Sequence, residues 1–274
     1  MDIKELFNLN DKLVVVTGAN GLLGKEFVKT ILSNGGLVAA IDLEFNNLTN
    51  ESKVENNIKD GKIKLYECDI TNEKTFVETK EKIISDFPQK IEGLVNCAAR
   101  DFIPEKGLNE TGRFEDYPIE TLDKTLNLNI SAQILSCKLF GSIMAMNKKG
   151  SIVNISSIYG LVSPDQKLYD HIENSGSSYI KPISYSVSKS SLLNMTRYLA
   201  TYWGEQGVRV NTLTLGGVYN GQDEEFVRKY EEKVPLERMA NLQDYNGPII
   251  FLLSDASSYM TGANIVVDGG WTSW

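Results

Sequence analysis

Tyr185 and Lys189 stand four residues apart in the run Tyr185-Ser186-Val187-Ser188-Lys189. On a helix that spacing is one turn, so a phenol and an ammonium share a face. A free tyrosine titrates near pH ~10 and is a poor base at neutral pH. A neighbouring positive charge favours the phenolate and brings proton transfer nearer the working pH. With 12 tyrosines in the chain, such a pair gains meaning only from its surroundings. Upstream lies Gly150-Ser151-Ile152-Val153-Asn154-Ile155-Ser156-Ser157, an apolar run ending in two hydroxyls. Further upstream, Asn127-Leu128-Asn129-Ile130 falls inside a long helical stretch, and Leu94-Val95-Asn96-Cys97-Ala98-Ala99 ends a short apolar one.

A second group of residues has the chemistry of phosphate binding. Thr17-Gly18-Ala19-Asn20-Gly21-Leu22-Leu23-Gly24 follows a valine-rich run and opens a helical pattern. Gly18 permits a tight turn, Gly21 lets the backbone approach a pyrophosphate, and Gly24 lets helix and strand pack closely. The helix N-terminus offers unpaired N–H groups and the positive end of its dipole. Asp42 follows 24 residues after Gly18, near the ~20-residue interval of a ribose-binding acid. A carboxylate there accepts both ribose hydroxyls and repels a 2′-phosphate. Leu43, Glu44 and Asn20 add no cation, so the pattern points to NAD(H) rather than NADP. In Cys68-Asp69-Ile70-Thr71, Asp69 either bonds the adenine edge or caps the helix starting near Thr71.

The rest of the chain must position these groups. Short β-rich runs occur at 12–17, 37–42, 62–67, 91–96, 150–156, 208–213 and 263–267, most of them continuous Val/Ile/Leu. Such runs mark strands buried on both faces. Helical patterns lie between them at 22–33, 73–87, 122–147, 184–203 and 242–253. The alternation predicts an α/β fold: one Rossmann-type, doubly wound parallel sheet of about seven strands in a single domain over 1–274. Ligands of such sheets bind at the carboxyl ends of the strands, where strand order reverses. The polar segment 162–182 interrupts the rhythm and reads as either a substrate-side lid or a solvated excursion. Segment 217–235 is expected to close over a substrate.

Composition excludes several functions. The 274 residues carry 28 Lys+Arg against 36 Asp+Glu, a net charge of −8. With no basic cluster, neither nucleic acid nor an anionic membrane is an expected partner. No apolar run approaches the ~20 residues of a membrane helix. The charged start, Asp2-Ile3-Lys4-Glu5, does not read as a signal peptide, so a cytoplasmic location is expected. Cys68, Cys97 and Cys137 are scattered and outside any CxxC pair, as core thiols are. The single histidine, His171, leaves no multi-histidine metal site, and no metal is expected.

Together these motifs resemble the short-chain dehydrogenase/reductase family, from Leu13 to the final Val266-Val267-Asp268-Gly269-Gly270. The resemblance implies that Tyr185 is the acid/base, that Lys189 lowers its pKa and binds the nicotinamide ribose, that Ser157 orients the substrate oxygen, and that Asn129 holds a relay water. It further implies NAD contacts at Gly18, Asn20, Gly21, Leu22, Leu23, Gly24, Asp42, Asp69, Ile70, Asn96, Ala98, Ala99, Tyr185, Lys189, Gly216 and Val218. The chain departs from the family pattern at Leu22, at Cys97-Ala98-Ala99 and at Leu215-Gly216, and Ser157 and Tyr185 lie 28 residues apart, about twice the usual interval.

The insert 163–169 and the ending 261–274 resemble the flagellin-modification protein A type, associated with nonulosonic, legionaminic-type sugars. The resemblance implies a carbohydrate or sugar-nucleotide substrate. Asp165, Lys167, Tyr169, His171 and Tyr179, together with Ser157, are candidate substrate contacts; the insert residues read equally as solvated loop. A polyol or gluconate-type sugar-acid dehydrogenase is the second reading, and a non-catalytic dinucleotide-binding regulator the third. The family implies a homodimer or homotetramer, with Trp271 and Trp274 suited to a subunit contact.

Overall fold

The structure, a computed structural model, describes every residue except 1, 47, 50, 51, 102–112, 175 and 176, and only the backbone at 52, 53, 173, 174, 177 and 178. Seven strands form one parallel sheet: β1 (Leu13–Thr17), β2 (Leu37–Asp42), β3 (Ile63–Glu67), β4 (Ile91–Asn96), β5 (Gly150–Ser157), and, after a small hairpin of β6 (Glu173–Asn174) and β7 (Ser177–Ser178), β8 (Val208–Leu215) and β9 (Asn264–Val267). Their order across the sheet is β3-β2-β1-β4-β5-β8-β9. The chain therefore winds outward from β1 in one direction and from β4 in the other. The switch point lies between β1 and β4, where Thr17 pairs with Asn96.

The continuous apolar runs follow from this arrangement. Successive strand residues point to opposite faces. Val14, Val16, Val38 and Ala40 enter one core, while Leu13, Val15, Ala39 and Ile41 enter the other. Helix α2 (Leu22–Ser33) lines the first core with Phe27, Val28 and Ile31. On the opposite face, α4 (Glu73–Asp86), which follows α3 (Ser52–Lys59), brings Phe76 and Ile83. Helix α1 (Ile3–Leu6) is a single turn before β1.

The long helix α5 spans Ile119–Met146, starting earlier than the expected 122, and contains π turns at Asn127–Ser131 and Cys137–Gly141. By length and composition α5 is apolar enough to cross a bilayer, yet half of that window is buried, with Ala132, Cys137, Phe140 and Met144 in the core beneath the sheet. Helix α6 (Ile183–Trp203) packs against β5 and β8. Helices α7 (Glu224–Glu231) and α8 (Asn246–Leu253) complete the chain. The expected helix over 242–253 starts instead with a tighter turn at Leu242–Tyr245.

Among its described residues, segment 162–182 has an exposed face but is anchored to the rest of the chain. Leu168, Tyr169 and Tyr179 are buried in a third apolar cluster with Ile158, Tyr159, Tyr230, Val234, Met239 and Trp271. The segment is also tied to α7 and the turn after it. Asp165 pairs with Lys233 at 2.7 Å, Asp170 pairs with Lys229, and His171 Nε2 lies 2.7 Å from Asp223 Oδ1. Asp223 is the N-cap of α7, accepting the Phe226 amide at 2.9 Å. The two segments expected over the substrate, 162–182 and 217–235, are thus fastened together.

Candidate active site

The carboxyl ends of β1, β2, β4, β5 and β8 open into one cleft of about 2170 Å³. It runs from Asp42 and Asp69, past the glycine loop, to Ser157, Tyr185 and Lys189, and ends among Tyr169, His171, Lys181, Phe226 and Met239. That is well above the ~300–1,000 Å³ of a pocket for one small molecule, and has room for a dinucleotide beside a substrate.

The glycine loop has a shape that only glycine allows at two points. Gly18 has φ of +69°, and a Cβ there would lie 2.6 Å from Ala98 Cα. A Cβ at Gly24 would lie 1.9 Å from the Gly18 carbonyl oxygen. The loop is therefore bare backbone packed on itself, open to the cleft at the start of α2. At the end of β2, Asp42 Oδ2 accepts the Asn20 amide at 2.7 Å and Oδ1 accepts the Leu43 amide at 2.7 Å. Asn20 Oδ1 accepts the Leu48 amide at 2.8 Å, which holds the loop against the chain after β2. A bare N–H-rich turn at a helix N-terminus, with a fixed carboxylate at the neighbouring strand end and no described cation beside it, fits the pyrophosphate and ribose of a nicotinamide dinucleotide.

Tyr185 and Lys189 sit on one face of α6, as their spacing requires. Lys189 is buried and donates to the Ile155 carbonyl at 2.9 Å, with Nζ 5.7 Å from the Tyr185 ring centroid. Ser156 Oγ donates to the Lys189 carbonyl at 2.9 Å, so α6 is stitched to the end of β5. Ser157 Oγ accepts the Tyr159 amide at 3.2 Å and is hydrogen-bonded to the Tyr185 side chain. Burial, then the Asp101 carboxylate, pushes the Tyr185 phenol up, and the Ser157 bond opposes them. Burial pulls the Lys189 ammonium down. The protein alone thus holds a protonated phenol, and added positive charge is what would release its proton.

Most of the sequence-derived site residues meet in this cleft: Gly18, Asn20, Gly21, Leu22, Leu23, Gly24, Asp42, Asp69, Ile70, Ala98, Ala99, Gly216, Val218, Ser157, Tyr169, His171, Tyr185 and Lys189 all line it. Five others do not: Asn96, Asn129, Tyr179, Asp165 and Lys167. Asn96 is fully buried beneath the cleft, donating to Asn154 Oδ1 at 2.9 Å, so it braces the sheet rather than facing a cofactor. The chain of bonds continues from Asn154 to Thr196 on α6 and from Thr212 on β8 to the same hydroxyl. Asn129 is buried in the first π turn, with its amide spent on the Arg100 amide and carbonyl and on Ser188. It fixes the position of the loop after β4. Tyr179 is buried against Tyr169, ring centroids 5.2 Å apart, and lies outside the cleft.

Other expectations change in detail. Asp69 accepts the amide and hydroxyl of Thr71, but the cap of α4 is Asn72, which accepts the Thr75 amide. Lys167 is exposed, and Asp165 serves the Lys233 pair. Trp271 is covered by its own chain, stacked on Tyr230 with centroids 4.4 Å apart, whereas Trp274 is 81% exposed. The sequence reading passed over Asp101 and Lys181. Lys181 sits at the start of α6, just before Pro182, and a lysine four residues ahead of the tyrosine was the available signal. Among the described residues there is no His/Cys/Asp/Glu group arranged for a metal.

Comparison with known proteins agrees with this geometry. Residues 18–272 match a family model described as Enoyl-(Acyl carrier protein) reductase. The chain is 30% identical to the post-translational flagellin modification protein A of Campylobacter coli, over 96% of this chain and 99% of that protein. It is 28% identical to the NADH-dependent L-xylulose reductase of Ambrosiozyma monospora, over 98% of this chain and 97% of that one. A short-chain dehydrogenase from Leptospira borgpetersenii, solved with bound NAD+, superposes with a TM-score of 0.84 at 29% identity, covering 99% of this chain and 96% of the other. With its glycine loop, seven-stranded parallel sheet and Tyr185–Lys189 pair in one cleft, the chain belongs to the short-chain dehydrogenase/reductase family of nicotinamide-dependent oxidoreductases.

Proposed function

We propose that this protein interconverts a secondary hydroxyl and a ketone on a polyol or carbohydrate, with NAD(H) as the redox partner. The observation that carries the reading is the single cleft joining Asp42 at one end to Ser157, Tyr185 and Lys189 at the other. Gly18, Gly21 and Gly24 would hold the pyrophosphate, Asp42 the adenosine ribose, and Lys189 the nicotinamide ribose. When bound, the dinucleotide supplies the hydride acceptor or donor and, in its oxidised form, a positive charge near the phenol.

The protein's own groups handle the proton. In the oxidising direction Ser157 and the Tyr185 oxygen hold the substrate hydroxyl, and Tyr185 takes its proton as the hydride leaves the carbon. In reduction Tyr185 returns that proton to the new alkoxide. Lys189 favours the phenolate by its charge and is held in place by the Ile155 carbonyl. Asn129 acts as a positioning residue through Arg100 and Ser188.

The relatives support the substrate class: one is named an L-xylulose reductase, and another a flagellin modification protein. The latter extends the reading to sugars destined for a surface glycan. The polar rim of the cleft, with His171, Asn220, Gln222 and Asp223, suits a hydroxylated molecule better than an acyl chain. The test is nicotinamide absorbance during turnover, with NAD and NADP against sugars, sugar nucleotides and polyols, and Tyr185→Phe as control. NAD-linked turnover lost in the variant supports the proposal; turnover with NADP alone overturns the cofactor assignment.

A further inference from the structure

Ser157 and Tyr185 account only for the reacting oxygen. Beyond them the cleft holds an ion pair that the reaction does not require. Lys181 Nζ lies 2.5 Å from Asp101 Oδ1 and 4.8 Å from the centroid of the Tyr185 ring. The lysine side chain is 7% exposed and the aspartate 46%. Both residues line the cleft.

The ammonium is placed there deliberately by the inserted segment. Gln166 grips the Lys181 backbone from both sides: its Oε1 accepts the Lys181 amide at 2.9 Å, and its Nε2 donates to the Lys181 carbonyl at 3.2 Å. Removing an ammonium from water costs several kcal/mol and is recovered only with a well-placed partner. A loop with no task at the cleft has no reason to carry one inward. The carboxylate lines the same cleft, where after burial it raises the Tyr185 phenol.

A hydroxyl group is both donor and acceptor. It fits beside an ammonium, which only donates, and a carboxylate, which only accepts. A carboxylate or phosphate on the substrate would find Lys181 already neutralised and Asp101 repelling it. A second polar pair at the substrate end, His171 with Asp223, likewise presents donor and acceptor together. Resting on the polyol reading above, we infer that Asp101 and Lys181 form the specificity-determining site for a substrate hydroxyl on the carbon adjacent to the reacting one. The substrate is then a neutral vicinal diol unit rather than a sugar acid or a simple secondary alcohol.

The experiment compares kcat/KM for butane-2,3-diol, 2-butanol and gluconate with NAD, in the wild type, Lys181→Gln, Asp101→Asn and Lys181→Arg. The wild type should favour the diol over 2-butanol by at least ~10-fold, the scale of one satisfied polar contact. Lys181→Gln and Asp101→Asn should each shrink that ratio toward one, mainly through a raised KM for the diol. Lys181→Arg should restore part of it. Thermal melts confirm that each variant is folded, and Asp101→Asn, on the exposed side of the pair, covers the case in which Lys181→Gln is not. An unchanged ratio with an equal fall in kcat for both alcohols overturns the inference, because the pair would then serve only Tyr185. A wild type that prefers gluconate overturns it while leaving the oxidoreductase reading intact. A wild type that turns over none of these, nor glycerol, threitol or arabinitol, overturns the polyol reading and the inference with it.

Discussion

The carboxylate of Asp42 accepts the main-chain amide of Asn20 at 2.7 Å, which ties the end of β2 to the loop between β1 and α2. Its second oxygen is held by Leu43. The charge is thus fixed in orientation before any ligand arrives. A 2′-phosphate placed at that strand end would meet it at close range, and like charges so placed cost several kcal/mol. Replacing Asp42 by Ala should therefore narrow the preference for NAD over NADP by at least ~10-fold. Parallel dinucleotide titrations of wild type and variant measure it.

Tyr185→Phe should lower kcat by about 10²–10⁴-fold, the usual worth of a positioned acid/base. The ring and its packing remain, so dinucleotide binding, followed by fluorescence, should persist. A variant that loses binding as well would assign Tyr185 a structural role.

Asp101→Asn should move the rising, acid-side limb of the pH–rate profile for alcohol oxidation. Burial comes first in raising the Tyr185 phenol, and the Asp101 charge follows. Neutralising that carboxylate favours the phenolate, so the rate of alcohol oxidation should rise at a lower pH than in the wild type, by about one pH unit. A limb displaced to higher pH would contradict the placement of this charge.

Asp223→Ala removes both the cap of α7 and the partner of His171. Loss of such a cap costs about 1 kcal/mol, or roughly 2–4 °C in Tm for a chain of this size. Burial opposes the shift, but the Phe226 amide and His171 hold the Asp223 carboxyl below its usual range. Its stabilising share is therefore present above the ordinary carboxylate pKa and is lost as pH falls through the lowered one. The melting difference between wild type and variant should be full at neutral pH and vanish in strong acid.

Gly24→Ala should abolish dinucleotide binding while leaving the far side of the sheet folded. The added Cβ would lie 1.9 Å from the Gly18 carbonyl oxygen, so the loop itself must move. Calorimetric titration with NADH on the purified variant checks it; retained affinity would show that the loop can re-form.

The strands and the glycine loop were legible because their signals are local. Short Val/Ile runs bounded by turn residues read as strands buried on both faces, as β1, β2, β4, β5 and β8 largely are although β9 is not, and Gly18, Gly21 and Gly24 act through backbone shape. Side-chain direction was not legible. Asn96 looks like a cofactor contact because it ends β4, yet strand alternation turns it toward Asn154, under the floor of the cleft. Tyr179 and Trp271 have polar or interfacial character on paper, but each finds an aromatic partner within its own chain, Tyr169 and Tyr230 respectively. Lys181 and Asp101 are 80 positions apart in sequence, and only the folded insert brings them together.

The fastening of the insert to α7 has a consequence for how such enzymes diverge. Asp165, Asp170 and His171 find their partners at Lys233, Lys229 and Asp223, and Tyr169 packs on Phe226 with centroids 5.4 Å apart. Moving 162–182 alone into a related scaffold would strand two carboxylates, an imidazole and an aromatic ring. The two stretches form one exchangeable cassette, separated in the chain by α6 with its Tyr185–Lys189 pair. Recombination that exchanges one of these stretches must carry the other across with it, while the Tyr185–Lys189 helix between them stays in place.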